Sequence, residues 1–240
     1  MKIRLDELLV RKKLAATRSQ AKQLVEQGSV TYQNRIIQKP GFLVEETASV
    51  KVASHETYVG RGAKKLEAAI QTFQINLKNK VIADIGASTG GFTDYLLQNG
   101  AQKVYAIDVG TGQLAEKLRQ DPRVINLEGT NIRHLKGLPE APELAVIDLS
   151  FISLKLVLKN VAALLKPDSQ IIALIKPQFE AGPKVVGKDG VIKDPEKVQE
   201  VLTNFLKWCE EEGFKVQQTI DSPITGKQGN KEFLALISFS

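Results

Sequence analysis

Cysteine, methionine and tryptophan occur once each in these 240 residues, and histidine only twice. With Cys209 alone, no disulfide can close within the chain and no cysteine-based metal site can be built from it, so no metal is expected. A reducing, cytoplasmic setting fits that composition. Long apolar runs are also missing. Nothing approaches the roughly 18 consecutive apolar residues that a membrane span needs. The first twenty residues are charged and periodic, unlike a secretory leader, so neither secretion nor membrane insertion is expected.

What is present describes a globular chain with 42% hydrophobic and 25% charged residues, long enough for one sizeable α/β domain plus something small. The net charge of +6 is unevenly spread. Residues 1–53 hold ten Lys and Arg against five Asp and Glu, whereas the remainder carries 23 against 22. A surplus confined to the first fifth of the chain suggests a polyanion-binding module attached to a neutral body; a solvated helix face is the alternative.

The basic segment divides into short elements. Leu5, Leu8, Leu9 and Leu14 keep a helical period over 4–14. Thr17 is suited to cap a second helix whose apolar positions Ala21, Leu24 and Val25 lead to Gly28, a residue suited to a left-handed helix end. β-like pieces follow at 30–32, 36–37 and 50–52. Residues 54–62 keep no period and contain two glycines, so the interdomain linker is expected there, with His55 as a lone histidine without chemistry.

Beyond residue 62 short apolar runs alternate with helical stretches. Strands are expected at 81–85, 104–107, 124–127, 144–147, 171–175, 216–220 and 233–237. Helices are expected at 63–73, 91–99, 112–119, 153–164 and 195–212. Runs that are apolar throughout and separated by helices point to a mostly parallel seven-stranded sheet covered on both faces. The last two runs lack a helix between them and predict a terminal hairpin with one antiparallel strand. The polar, glycine-rich stretch 177–194 reads as a lid or RNA-contacting flap, or else as plain disorder.

Chemistry concentrates at the strand ends. Asp84-Ile85-Gly86-Ala87-Ser88-Thr89-Gly90-Gly91-Phe92 follows the first run and opens a helix, a turn where backbone can approach a ligand. Its spacing differs from the dinucleotide pattern, which points to a cofactor without a pyrophosphate. Asp108 ends the second run, where a carboxylate can accept hydrogen bonds from a ribose diol. Asp148 and Lys176 end two further runs, and Glu232 stands near the start of the last, so these ionisable groups share one rim of the sheet. Lys65 falls in the first turn of a helix, where a cation opposes the helix dipole.

Residues 2–53, with the string RLDELLVRKKLAATRSQAKQLVEQGSVTYQNRIIQKPGFLV, resemble the S4 RNA-binding fold, a small α+β module. That likeness implies contacts to RNA phosphates from Arg4, Arg11, Arg18 and Lys22, with Lys39 and Arg61 as further candidates. Pairing with Glu7 or Glu26 is the structural alternative. The acidic residues around the glycine turn resemble the S-adenosylmethionine site of Rossmann-like methyltransferases. This implies a cofactor set of Asp84, Gly86, Ser88, Thr89, Gly90, Gly91, Phe92, Asp108, Asn131 and Asp148. Lys65, Asp148, Lys176 and Glu232 match the K-D-K-E tetrad of FtsJ-like ribose 2′-O-methyltransferases. The strings RGAKKL, DIGASTGGFTD, DLSFIS, LIKPQFE and NKEFL look like the TlyA family of haemolysin-named rRNA methyltransferases over nearly the whole chain.

The resemblance implies an S4-like domain at 1–53 and a methyltransferase domain at 63–240. The expected activity is 2′-O-methylation of structured RNA, with ribosomal RNA or ribosomal subunits as partners and no required membrane. Lys176 would act on the hydroxyl, Lys65 would orient it, and the two carboxylates would hold the ammonium groups. A non-catalytic ribosome-assembly factor and a membrane-active haemolysin are the competing classes.

Overall fold

In the computed structural model the chain divides into two units, Met1–Thr57 and Tyr58–Ser240. The described residues are 2–15, 17–26, 28–52, 58–182, 185–187, 189–226 and 228–239, so His55 and expected linker residues 54–57 lie outside them. Residues 58–62, expected as linker, are packed into the second unit.

The first unit opens with β1 (Lys2–Arg4) in place of the first residues of the expected helix. β1 pairs antiparallel with β4 (Leu43–Glu45), forty residues away, and α1 (Leu5–Arg11) follows at once. A three-residue strand carries no readable period, which is why the helical pattern absorbed it. α2 (Arg18–Glu26) is capped as its sequence demands, with Thr17 Oγ1 accepting from the Gln20 N–H at 3.2 Å. β2 (Val30–Tyr32) and β3 (Arg35–Ile36) form a hairpin through Gln33 and Asn34, both at positive φ, and β5 (Val50–Val52) closes a three-stranded sheet. Leu5, Leu8, Leu9, Ala21, Val25 and Val30 form its core.

The second unit runs α3 (Ala63–Phe73), β6 (Val81–Ile85), α4 (Gly91–Gln98), β7 (Lys103–Ile107), α5 (Glu116–Arg119), β8 (Val124–Leu127), β9 (Leu144–Ile147), α6 (Leu158–Ala162), β10 (Gln170–Ile175), α7 (Pro177–Glu180), α8 (Pro195–Glu211), β11 (Phe214–Asp221) and β12 (Phe233–Phe239). The seven strands form one sheet in the order β11-β12-β10-β9-β6-β7-β8. β12 lies antiparallel between β10 and β11, while β10, β9, β6, β7 and β8 pair in parallel. Successive residues point to opposite faces, so Val81, Ala83 and Ile85 enter one core and Ile82 the other. Burial on both faces explains why these strands read as unbroken apolar runs.

Two helices are shorter than their patterns predict. The expected helix at 112–119 survives only as α5, because Gly112 sits at positive φ and Ala115 is extended at ψ 139°; the Glu128 carboxylate accepts from the N–H groups of Gln113 and Leu114 in the resulting loop. The expected 153–164 helix splits into a 3-10 turn (Leu154–Leu156) and α6 at Val157.

Asp84 follows the sheet's alternation toward α4, where no water reaches it. It is fully buried, Oδ2 accepts from Thr93 Oγ1 at 2.6 Å, and Oδ1 has no hydrogen-bond partner among the described residues. Burial pushes its carboxyl from the ordinary 3.8 up to about 7, against the opposing Thr93 hydrogen bond. The folded chain therefore binds the extra proton between those values, and its stability falls as pH rises through that window. Asp84→Asn is expected to show a flatter melting temperature than the parent from about pH 4 to about pH 8. Equal slopes in the two proteins would refute the assignment.

Candidate functional site

The parallel strands deliver their C-terminal ends to one rim, and residues just past those ends form its floor. The turn after β6 carries residues 84–91, Asp148 follows β9 and Lys176 follows β10. β12 reaches the same rim by running the other way: Phe233 pairs with Ile175, so Glu232 stands beside Lys176's strand. Lys65 arrives from the first turn of α3. All four expected tetrad residues line one cavity of about 470 Å³.

They are organised as two ion pairs. Lys65 Nζ lies 2.5 Å from Glu232 Oε2, with side-chain exposures of 9% and 3%. Lys176 Nζ lies 2.6 Å from Asp148 Oδ1 and 2.9 Å from Ser150 Oγ. Glu232 answers the unfavourable placement of a cation in a helix's first turn. Gly226 makes room for this: a Cβ there would stand 2.6 Å from Glu232 Oε1.

Of the expected cofactor residues, Gly86, Ser88, Thr89, Gly91, Phe92 and Asp148 line the cavity, whereas Asp84, Gly90, Asp108 and Asn131 do not. Asp84 is buried beneath the turn. Gly90 faces α5, where a Cβ would stand 2.2 Å from Leu118. Asp108 braces the turn from the side, accepting from the N–H groups of Ser88 and Gly110 at 2.8 Å each. Asn131 accepts from the Arg133 N–H in its own loop. Gly86, at φ +87°, has to be glycine, since a Cβ would meet the Asp148 carbonyl oxygen at 2.5 Å.

The cavity also recruits residues that sequence reasoning passed over: Ser150, Phe151, Gln178, Phe179 and Asn230. Phe151 is 90% exposed with φ +64° and packs against Phe179, the ring centroids 5.2 Å apart. An aromatic residue in a loop three places after the strand-end charge Asp148 was the available signal. Asn230 is buried, accepts from the Ile192 N–H and donates to the Gly190 carbonyl. It thereby ties the described part of the expected flap to the approach of β12. The start of that flap is helical, as α7.

The expected RNA contacts are exposed but mostly engaged. Arg4 donates twice to the buried Asp6, and Arg18 lies 3.7 Å from the same carboxylate. The Arg4 hydrogen bonds hold the Asp6 carboxyl below its usual range. Arg11 bridges Glu7 and Glu46, and Lys22 faces Glu26 at 3.8 Å. Lys39 is exposed, and Arg61 lines the cavity in the second unit.

Comparison with known proteins gives this geometry its family. Residues 58–239 match the FtsJ-like methyltransferase family and residues 3–50 the S4 domain. The 16S/23S rRNA (cytidine-2′-O)-methyltransferase TlyA of Mycobacterium tuberculosis (strain ATCC 25618 / H37Rv) is 42% identical over 236 residues, covering 96% of this chain and 87% of its own. The chain belongs to the TlyA family of FtsJ-like methyltransferases. YqxC of Bacillus subtilis (strain 168) is 46% identical over 240 residues, 97% of this chain and 84% of that protein. A solved structure from Streptococcus thermophilus that carries a hemolysin label superposes with TM-score 0.77 at 42% identity, covering 100% of this chain and 89% of that one. The TlyA family assignment spans both units and fixes the second as a methyltransferase.

The Lys65–Glu232 pair separates stability from activity. Glu232→Ala leaves a buried ammonium group uncompensated and is expected to destabilise the fold by roughly 3–5 kcal/mol. Replacing both partners with apolar residues, Lys65→Met with Glu232→Leu, is expected to restore most of that loss in urea unfolding. A double variant no more stable than the single one would show that the pair's charge balance is not what holds this corner.

Proposed function

We propose that this protein transfers a methyl group from S-adenosylmethionine to a ribose 2′-hydroxyl of structured ribosomal RNA. The observation carrying the reading is that two lysine–carboxylate pairs share one cavity with the glycine turn after β6. The sulfonium of S-adenosylmethionine supplies the electrophilic methyl. A 2′-hydroxyl is a very weak acid, and negative charge builds on its oxygen as its proton leaves to solvent; the oxygen–methyl bond then forms as the sulfur–methyl bond breaks, leaving a neutral thioether. Ammonium groups already fixed in a partly enclosed site stabilise that charge without reorganising. Lys176 is the principal group on the hydroxyl, Lys65 helps orient it and stabilise its charge, and Asp148 and Glu232 hold the two in place.

The residues fit the cofactor. Gly60, Gly62, Gly86 and Gly91 leave backbone facing the cavity, Ser88 and Thr89 offer hydroxyls, and Phe92 gives an apolar surface. About 470 Å³ lies within the range of small-molecule sites. Asp108 uses its oxygens on two backbone N–H groups and keeps lone pairs for ribose hydroxyls. On the other side of Lys176, Phe151 offers a nearly bare ring on which the acceptor base can stack. Arg4, Arg11, Arg18, Lys22 and Lys39 present cations to phosphates, their partner carboxylates fixing the side chains rather than removing them from solvent. A cytidine of the ribosomal subunits in the cytoplasm is the target that the relatives' names support.

Tritium transfer from S-adenosylmethionine to ribosomal RNA, with alkali resistance of the labelled linkage, tests the reading. The parent is expected to produce an alkali-resistant dinucleotide. Lys176→Ala is expected to bind S-adenosylmethionine as the parent does while losing on the order of 10²–10³ in kcat. Transfer at the parent rate by the folded variant would remove Lys176 from its role. No transfer to any ribosomal RNA would favour a non-catalytic assembly factor, and lysis of liposomes by the pure protein would favour the haemolysin class.

A further inference from the structure

Glu180 touches neither the cavity nor any tetrad residue, yet it holds the loop that forms one wall. Residues 148–154 and 176–180 run beside one another and are joined at three levels. At the first, Lys176 Nζ contacts Asp148 Oδ1 at 2.6 Å and Ser150 Oγ at 2.9 Å. At the second, Phe179 packs on Phe151. At the third, Glu180 Oε2 accepts from Ser153 Oγ at 2.5 Å and Oε1 accepts from the Leu154 N–H at 2.8 Å.

Phe151 sits between the outer levels in a conformation that bulky residues avoid, φ +64°, with its side chain 90% exposed. Its own side chain gains little from burial, so the strain is not offset there. Such a residue persists only where its neighbours over-determine the backbone. Fixing the chain at Asp148 and Ser150 would not suffice, because the loop could relax through Ile152 and Ser153. The Glu180 hydrogen bonds close that route. Glu180 lies mostly out of water, and burial raises its carboxyl above the ordinary range, so the two hydrogen bonds are what offset the desolvation of its charge.

We propose that Glu180 is a positioning residue: by clamping Ser153 and Leu154 it holds Phe151 in its strained, exposed pose and so places the acceptor nucleotide over Lys176. This rests on the reading of the cavity as a ribose methyltransferase site. The clamp acts at Ser153 and Leu154, away from Asp148 and Leu149, the residues of this loop that meet the glycine turn at Gly86.

The test uses the full chain and unmethylated ribosomal RNA, with S-adenosylmethionine affinity and melting temperature measured in parallel. Glu180→Ala is expected to lower kcat/KM for RNA by roughly ten- to hundredfold, mostly through KM, with S-adenosylmethionine affinity within about twofold of the parent. Glu180→Gln is expected to recover most of the loss, since its oxygen can accept from Leu154 and its amide can donate to Ser153 Oγ. Phe151→Ala is expected to give a loss of similar size, and the double variant Phe151→Ala with Glu180→Ala to be no worse than either single one, as two residues acting through one contact require. If Glu180→Ala does not fold, Ser153→Ala removes one hydrogen bond of the clamp and carries the same cycle with Phe151→Ala. Additive losses, or an equal loss of cofactor affinity, would overturn the proposal. So would a Glu180→Ala enzyme indistinguishable from an active parent. An inactive parent would sink the underlying functional reading as well, and that outcome is recognisable before any variant is made.

Discussion

Removing an ammonium group from water is unfavourable unless a carboxylate comes with it, and this chain does so twice within one cavity. Much of the second unit follows from that requirement. Glu232 can meet Lys65 only if the last strand starts where the parallel strands end, and an antiparallel β12 inserted between β10 and β11 achieves it. Gly226 then has to lack a side chain for the preceding loop to pass over Glu232. Ser150 supplies Lys176 with a second partner, fixing the ammonium group in direction as well as in charge. Two ion pairs at such burial are poor sources of stability compared with apolar packing. Under the proposed function, their place here is explained by what fixed cations do to a developing oxyanion.

The pairing in the first unit follows a different rule. Arg4, Arg11, Arg18 and Lys22 remain half or more exposed, so their contacts with Asp6, Glu7, Glu46 and Glu26 are weak, screened interactions, with the exception of Arg4 on the buried Asp6. A phosphate can compete with an exposed carboxylate for such a cation at little loss. The charge surplus of residues 1–53 thus survives as a surface property even though Arg4, Arg11, Arg18 and Lys22 have carboxylate partners. Affinity built this way depends strongly on salt and little on base sequence, and leaves target choice to the other unit.

The sequence made legible the parts in which local chemistry and tertiary context agree. Buried parallel strands read as apolar runs, Thr17 and Gly28 marked the limits of α2, and the strand-end charges fell on one rim because the fold places every parallel strand's end there. It hid the parts set by distant partners. β1 is a strand only because Leu43–Glu45 lies beside it, and the loop before α5 is held by Glu128, fifteen positions after Gln113, which accepts from the N–H groups of Gln113 and Leu114. The same limit governed the site. Asp108 was legible as the carboxylate after β7, but that it braces the Ser88 turn depends on one hydrogen bond across the rim. Asn230 carries no charge and repeats no pattern, so only its position in space draws attention to it, and Phe151 offered no more than an aromatic residue close to a strand-end charge.

Asp148 joins the two halves of the cavity. Its carbonyl oxygen lies against Gly86, where a Cβ would stand 2.5 Å away, so the cofactor turn is packed against the main chain of the same residue whose carboxylate holds Lys176. A displacement of this backbone shifts the turn and the lysine together, keeping methyl donor and acceptor groups in register. A side-chain substitution at 148 therefore perturbs the lysine and the cofactor wall at once and reports on neither alone. Lys176 touches only the acceptor side of that joint, through Asp148, Ser150 and the Phe179 ring at 5.9 Å, which makes it the cleaner probe of the chemistry. The two parts of the cavity are thus built differently: Gly86 packs on the Asp148 carbonyl at the glycine turn, while Asp148, Ser150 and Phe179 gather around the Lys176 ammonium group.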